Sequence, residues 1–253
     1  MNSGLGLFDL PLGPVVMGIV NIAPDTSADQ AISLGENILR HGAAMIDIGS
    51  DAKLSVQQEL DLVIPVVAAL VKRIAIPVSV YTSNPEVMQA VVAVGARMIN
   101  DKLALTKPGA AAMIAKLRVP VCLMHMQDAP NYNDIVKDVY TYLEQRIARC
   151  KEEGIEQKNI IIDPGFGFGK NLPHNLNLLK SLRVFKNLNS LLLVGLSNKS
   201  MIGQILDTPV DQRTYGSLTA EILAIFKGAD IIRTHEVKAT VDAIKIVKAS
   251  MSV

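Results

Sequence analysis

Eight times along this chain a short apolar run is followed by a helical pattern, and that alternation constrains the fold more than any other feature. The runs are Val15 to Val20, Met45 to Gly49, Pro77 to Thr82, Met98 to Asp101, Val121 to Met126, Asn159 to Asp163, Leu191 to Ser197 and Asp230 to His235. Each has the length of a parallel strand covered on both faces. The helical patterns are Ala31 to His41, Val56 to Arg73, Pro85 to Val94, Ala110 to Leu117, Asp134 to Glu153, Asn175 to Phe185, Gly216 to Phe226 and Val237 to Ala249. Gly42, Gly95, Gly154 and Gly228 fall where helices should stop, and Pro85 falls in a first turn with Asn84 as its expected cap. Eight strand-then-helix units predict an α/β fold, a closed (β/α)8 TIM barrel, as a single domain over residues 1–253. A doubly wound open sheet is the alternative, but no GxGxxG follows the first strand.

A chain of 253 residues with 49% hydrophobic content can bury the large core a barrel requires. A net charge of +1 gives no basic field for nucleic acid. The N-terminus lacks a basic region followed by a long apolar run. No apolar stretch approaches the roughly 18 to 20 residues that span a bilayer, so a cytoplasmic protein without membrane contact is expected. Cys122 and Cys150 form no CxxC and read as packed or free thiols rather than metal ligands.

A barrel turns strand ends into a test for function, because chemistry in this architecture sits at the C-terminal ends of the strands. Polar residues stand at every one: Asn21; Asp47 and Ser50; Tyr81 and Thr82; Asn100 and Asp101; His125 and Gln127; Asp163; Ser197, Asn198 and Lys199; Arg233 and His235. A purely structural barrel has no need for so many hydrogen-bonding groups at one mouth, where burial without a ligand is costly. The sixth strand is the most informative: Asp163 ends an apolar run and enters Pro164-Gly165-Phe166-Gly167-Phe168-Gly169-Lys170, whose glycines allow a tight turn and close approach to a ligand.

The residue types indicate a flat heterocycle carrying an anion. Arg233 and His235, two apart on a strand, point the same way and together can hold a phosphate-like group, with Lys199 as a third donor. Asp163 and Asn100 can hold an amidine-like edge, the carboxylate accepting paired N–H bonds and the amide both donating and accepting. Phe168, Met124 and Met126 offer apolar walls. Asp47 reads equally as a brace of the barrel interior or a ligand contact, and His125 as a site residue or a satisfied core histidine.

The runs Met17-Gly18-Ile19-Val20-Asn21-Ile22-Ala23-Pro24-Asp25, Ile46-Asp47-Ile48-Gly49, Asn100-Asp101, Leu123-Met124-His125-Met126, Asp163 to Lys170, Ser197-Asn198-Lys199-Ser200 and Arg233-Thr234-His235-Glu236-Val237 together resemble the dihydropteroate synthase family, in that family's order and over nearly the whole chain. The resemblance implies a transferase of folate biosynthesis that joins 6-hydroxymethyl-7,8-dihydropterin pyrophosphate to p-aminobenzoate, releasing pyrophosphate. It implies that Asn100, Asp163, Phe168, Met124 and Lys199 bind the pterin, and that Asn21, Arg233 and His235 bind the pyrophosphate. Asn21 would also place a magnesium ion. Lys199, Arg233 and His235 would act in catalysis, and no covalent enzyme intermediate is required. A homodimer through the last two helices, around Leu218 to Phe226 and Val241 to Val247, is expected as well.

The chain also departs from the family's pattern. The third strand reads Ser79-Val80-Tyr81-Thr82 where the family has serine-valine-aspartate-threonine, so a phenol stands for a carboxylate. Asp25 to Ala31 lack the phenylalanine and glycines of the family's first loop, and Ser50 to Ser55 replace its glycine-glutamate-serine-threonine-arginine-proline-glycine second loop. Asn198 replaces an arginine. Two alternative readings follow: a pterin-binding paralogue that has lost or changed condensation with p-aminobenzoate, as a binding or regulatory protein, and a reduced-folate methyltransferase domain. The altered loops also predict weak inhibition by sulfonamides.

Overall fold

The computed structural model describes residues 13–50 and 53–251. Eight parallel strands close in chain order into one barrel, β1 (Val15–Asn21), β2 (Met45–Gly49), β3 (Val78–Tyr81), β4 (Met98–Asp101), β5 (Val121–Met124), β6 (Ile160–Asp163), β7 (Leu191–Val194) and β8 (Ile231–Thr234). Closure pairs β1 with β8, Met17 opposite Arg233 and Gly18 opposite Thr234. The surrounding helices are α1 (Ala28–Arg40), α2 (Val56–Leu70), α3 (Pro85–Ala93), α4 (Ala110–Leu117), α5 (Ile135–Glu152), α6 (Leu172–Ser181), α7 (Ser200–Leu206), α8 (Thr214–Phe226) and α9 (Val237–Met251). The closed barrel is the fold that the eightfold alternation predicts.

Local chemistry sets the element ends. Ser27 and Ser55 cap α1 and α2 in full capping boxes with Gln30 and Gln58. Gly42, Gly95, Gly154 and Gly228 all take positive φ just past their helices, as the stop pattern predicts. Asn84 does not cap α3: its side chain instead bonds Glu59 and Lys107, leaving Pro85 alone to mark that start. The predicted helix 175–185 ends as α6 at Ser181 and continues as a 3₁₀ turn over Leu182–Leu188. Helix α7 has only seven residues and escapes a periodicity reading, because so short a segment shows too few turns of an amphipathic pattern.

The barrel fills in layers. Val15, Met17, Met45, Met98, Cys122, Ile161, Leu193 and Ile231 form one apolar cluster. Side chains alternate across a strand, so the residue two further on faces the same side. That step takes Met17 to Ile19 and Asn21, Met98 to Asn100, Cys122 to Met124, Ile161 to Asp163, Leu193 to Gly195, and Ile231 to Arg233. The polar floor of the mouth is therefore the next layer of the same stack. The intervening residues build a second, larger core against the helices. Among the described residues no helix is long and apolar enough to cross a membrane. Both cysteines are buried thiols, and burial pushes Cys150 up to about 11.

Candidate active site

One cavity of about 250 Å³ occupies the C-terminal mouth. Asn21, Asn100, Met124, Asp163, Phe168, Lys199, Arg233 and His235 all line it, so of the residues expected to build the site only Met126 stays out. Tyr81, Ile19, Phe166 and Ser197 join them. Met126 is half-buried and does not line this cavity; β5 ends at Met124, two residues before it.

Beneath the cavity lies Asp47, fully buried and shared by three strands. Its Oδ1 accepts from Ser79 Oγ at 2.7 Å, and its Oδ2 accepts from Asn100 Nδ2 at 2.9 Å and Arg233 Nε at 2.8 Å. The brace reading of Asp47 is the one the geometry favours. With Nδ2 engaged, Asn100 has its carbonyl oxygen for a ligand, and Arg233 has its two terminal nitrogens. Burial alone works against the Arg233 charge, but the Asp47 carboxylate, helped by Tyr81 and Asp163, holds the guanidinium pKa above its ordinary value. A charge kept in this way is available to an anion at any physiological pH.

Asp163 reaches the opposite wall from the end of β6. Burial raises its pKa, opposed by the Gly165 amide, which donates to Oδ1 at 2.7 Å, and by Lys199, Lys170 and Arg233. The loop that follows is glycine-rich for a physical reason. At Gly165 (φ +72) a Cβ would come 1.9 Å from the His125 carbonyl oxygen, and at Gly169 (φ +67) 1.9 Å from that of Gln127. Lys170 fastens this loop from beneath, donating to the carbonyls of Gly165 at 2.7 Å, Phe168 at 3.1 Å and His125 at 3.3 Å. Burial lowers its pKa to about 7 despite Asp163 nearby. Sequence reasoning gave Lys170 no role. A lysine directly after a glycine-rich turn is the signal that could have suggested one.

The seventh and eighth strands supply the cationic side. Lys199 Nζ stands 4.3 Å from the Phe168 ring centre, a cation–π contact that makes the lysine and the ring one wall. Asn198, at φ 58, is tied to α8 through Ser217 Oγ and Arg213, each at 3.0 Å. His235 Nδ1 lies 2.9 Å from Ser197 Oγ, and its Nε2 lies 3.4 Å from Asn21 Nδ2, joining the two strands on either side of the barrel seam.

His125 belongs to none of this. It is buried behind the loop against Tyr132 and Tyr142, with centroids at 5.9 and 4.9 Å, and its Nδ1 has no partner among the described residues. Burial, with Lys170 adding to it, lowers its pKa to about 4. It is a core histidine, though not a fully satisfied one. Asp101 likewise faces away from the cavity, accepting from Ser83 and from the Leu103 and Leu105 amides, both at 2.8 Å, to shape the turn after β4.

Fold and cavity together define a (β/α)8 barrel enzyme that pairs a heterocycle-binding carboxylate and amide with a cluster of anion-binding cations. Residues 17–235 match the family model described as pterin binding enzyme. The chain is 44% identical to dihydropteroate synthase of Escherichia coli (strain K12), covering 94% of this chain and 92% of that one. It is 42% identical to that of Haemophilus influenzae, over 94% of each. Dihydropteroate synthase from Xanthomonas albilineans, solved in complex with 7,8-dihydropteroate, superimposes with a TM-score of 0.93 at 44% identity, over 96% of this chain and 95% of that one. The chain belongs to the dihydropteroate synthases, within the pterin-binding enzymes.

Proposed function

We propose that this protein is a transferase of folate biosynthesis that condenses 6-hydroxymethyl-7,8-dihydropterin pyrophosphate with p-aminobenzoate to give dihydropteroate and pyrophosphate. The observation that carries this reading is the convergence, in one cavity, of Asp163 and Asn100 with Lys199, Arg233 and His235.

Asp163 and the Asn100 carbonyl accept N–H bonds from the pterin edge, Met124 and the Phe168 ring cover its faces, and Lys199 donates to the ring system. Arg233 and His235 take the pyrophosphate. Asn21 lines both this cavity and an adjoining depression that also contains Asp25 and Thr26. An amide oxygen beside a carboxylate suits magnesium, which takes oxygen ligands and is commonly completed by substrate phosphates and water. When bound there through Asn21, magnesium would add positive charge against the departing pyrophosphate. Arg233 and His235 stabilise the same developing charge. The amine nitrogen forms its bond to the pterin methylene as the C–O bond to pyrophosphate breaks, and the leaving group keeps the electron pair.

Tyr81 favours a second reading, because a phenol in this wall gives the electron-poor methylene no carboxylate to stabilise it. On that reading the protein binds the pterin without completing the condensation. Incubation with the pterin pyrophosphate, magnesium and p-aminobenzoate decides between them. Pyrophosphate release with dihydropteroate formation supports the transferase; tight pterin binding without product supports the second reading, and a Tyr81→Asp variant that then makes product would locate the loss.

We also infer that the protein works in the cytoplasm as a homodimer. Supporting the pairing through the last two helices, Leu223 and Phe226 on α8 and Ile246 on α9 stand exposed, Ile246 at 72%. Sedimentation equilibrium at a single-chain mass would rule the pairing out.

A further inference from the structure

We infer that Lys170 is a positioning residue for the pterin: its ammonium group fills a cradle of three backbone carbonyls and so fixes the segment between Asp163 and Phe168 before the ligand arrives. This rests on the pterin-binding half of the proposed function.

The cradle is made by Gly165 and Phe168 on the loop and by His125 at the exit of β5, whose carbonyl oxygens lie 2.7, 3.1 and 3.3 Å from Lys170 Nζ. An ammonium group has three N–H donors, and here each has a carbonyl. Among the described residues no other group donates to the Gly165 or Phe168 oxygens, and no carboxylate lies within ion-pair distance of Lys170. The lysine is buried and does not line the pterin cavity. It therefore acts on the ligand through the loop and not by touching it.

A glycine-rich turn has more backbone freedom to lose than any other, so a site built on one needs something to hold it. The amides of this turn are held by side chains. Gly165 N–H donates to Asp163 Oδ1 at 2.7 Å, and Gly167 N–H donates to Oδ1 of Asn175, a buried residue of α6, at 2.8 Å. Asn175 Nδ2 in turn donates to the Lys170 carbonyl at 3.2 Å, which fixes the far end of the loop. The inward carbonyls of Gly165 and Phe168 are left to the lysine. By bonding His125 as well, its ammonium clips the loop against β5, the strand that supplies Met124. Asp163 and Phe168, the acceptor for the pterin edge and the ring beside its face, stand at the two ends of the clipped segment. Burial raises the Asp163 pKa, and the same ammonium is among the cations that oppose this and favour the carboxylate the pterin edge requires. Without it the segment would have to be ordered as the pterin binds, and that ordering lowers affinity.

The test reads equilibrium binding of 6-hydroxymethyl-7,8-dihydropterin, which has no leaving group, to full-length wild type, Lys170→Met and Lys170→Ala by calorimetry. Methionine fills the space of the lysine without a donor. Alanine leaves room for n-propylammonium, which replaces the atoms removed. Loss of a hydrogen bond to a charged group is worth about tenfold or more, so both variants should bind the pterin alcohol at least that much more weakly. n-Propylammonium chloride should restore most of the affinity of Lys170→Ala and none of that of Lys170→Met. 1-Propanol, of similar size but with a single O–H and no charge, should restore little in either. Wild-type affinity in Lys170→Met overturns the inference. Recovery of Lys170→Ala by 1-propanol as fully as by n-propylammonium overturns it too, because filled space would then be what matters, and so does no recovery by either. Cooperative thermal unfolding shows that the variants fold, and Lys170→Met carries the test alone if Lys170→Ala does not. A wild type that binds no pterin fails the proposed function itself, whereas failure of this inference leaves wild-type binding intact.

Discussion

The wall of the mouth built by β4, β6 and β8 and the wall built by β1 to β3 solve the problem of polar burial in opposite ways. On the first, each ligand-facing group is held by another protein group: Asn100 and Arg233 by Asp47, Asp163 by the Gly165 amide, and the loop carrying Phe168 by Lys170. On the second, Tyr81, Lys102 and Lys107 stand at a wide polar opening that begins at Ser50 and Lys53. The first wall resembles a preformed site whose geometry precedes its ligand. The second is where this chain departs from its family, and where recognition of the partner molecule has room to change without disturbing the floor.

The comparison breaks most decisively at Asp47. Replacing it by alanine strands the Arg233 charge and releases Asn100 and Ser79 together, and loss of one member of a buried pair costs about 3–5 kcal/mol. Urea unfolding should show that loss, accompanied by loss of pterin binding; a change below about 1 kcal/mol would mean that the floor is not braced through this residue. At Asp163→Asn the fold should survive, but one acceptor becomes a donor facing the pterin N–H groups. Affinity for the pterin alcohol, read by calorimetry, should fall roughly 100-fold.

Behind the cationic wall, Glu221 sharpens the same contrast. It is buried between α8 and α9, accepts from Thr240 Oγ1 at 2.8 Å, and burial raises its pKa to about 7 from 4.5. A carboxyl whose folded pKa is raised binds its proton more tightly in the folded state. Its stabilising contribution is therefore complete below about pH 4.5 and is lost as pH rises to about 7. Glu221→Gln should flatten the fall in melting temperature across that window; an unchanged slope would place the titration elsewhere. The smallest effect belongs to the open wall. Sulfonamides imitate p-aminobenzoate, so inhibition should be several-fold weaker than for relatives that retain the family's loops, a difference of roughly 1 kcal/mol. Equal inhibition would show that the altered loops leave amine recognition intact.

Strand number, closure and the polar members of the cavity were legible in the sequence, while Ile19 and Phe166 in its lining were not; the legible part rests on short-period signals: apolar runs, glycine stops, and polar residues two places beyond core residues. Boundaries were less so. The fifth and seventh runs carry Met126 and Leu196 beyond Met124 and Val194, where the strands end and the backbone turns into loops. Asn84 reads as a cap from its neighbours in sequence, but partners 25 and 23 residues away compete for its side chain. The same holds for Asp47, whose three partners come from β3, β4 and β8 and leave no trace in its own segment. The opening beside Tyr81 is assembled from separate loops and has no sequence pattern at all.

The shared anchoring at Asp47 also has a consequence for inhibitors. A compound built to span both the Asn100 side and the Arg233 side of the cavity would meet two groups that share Asp47, and a resistance substitution at either would unseat the other's carboxylate partner as well. Escape by that route carries a folding penalty with it.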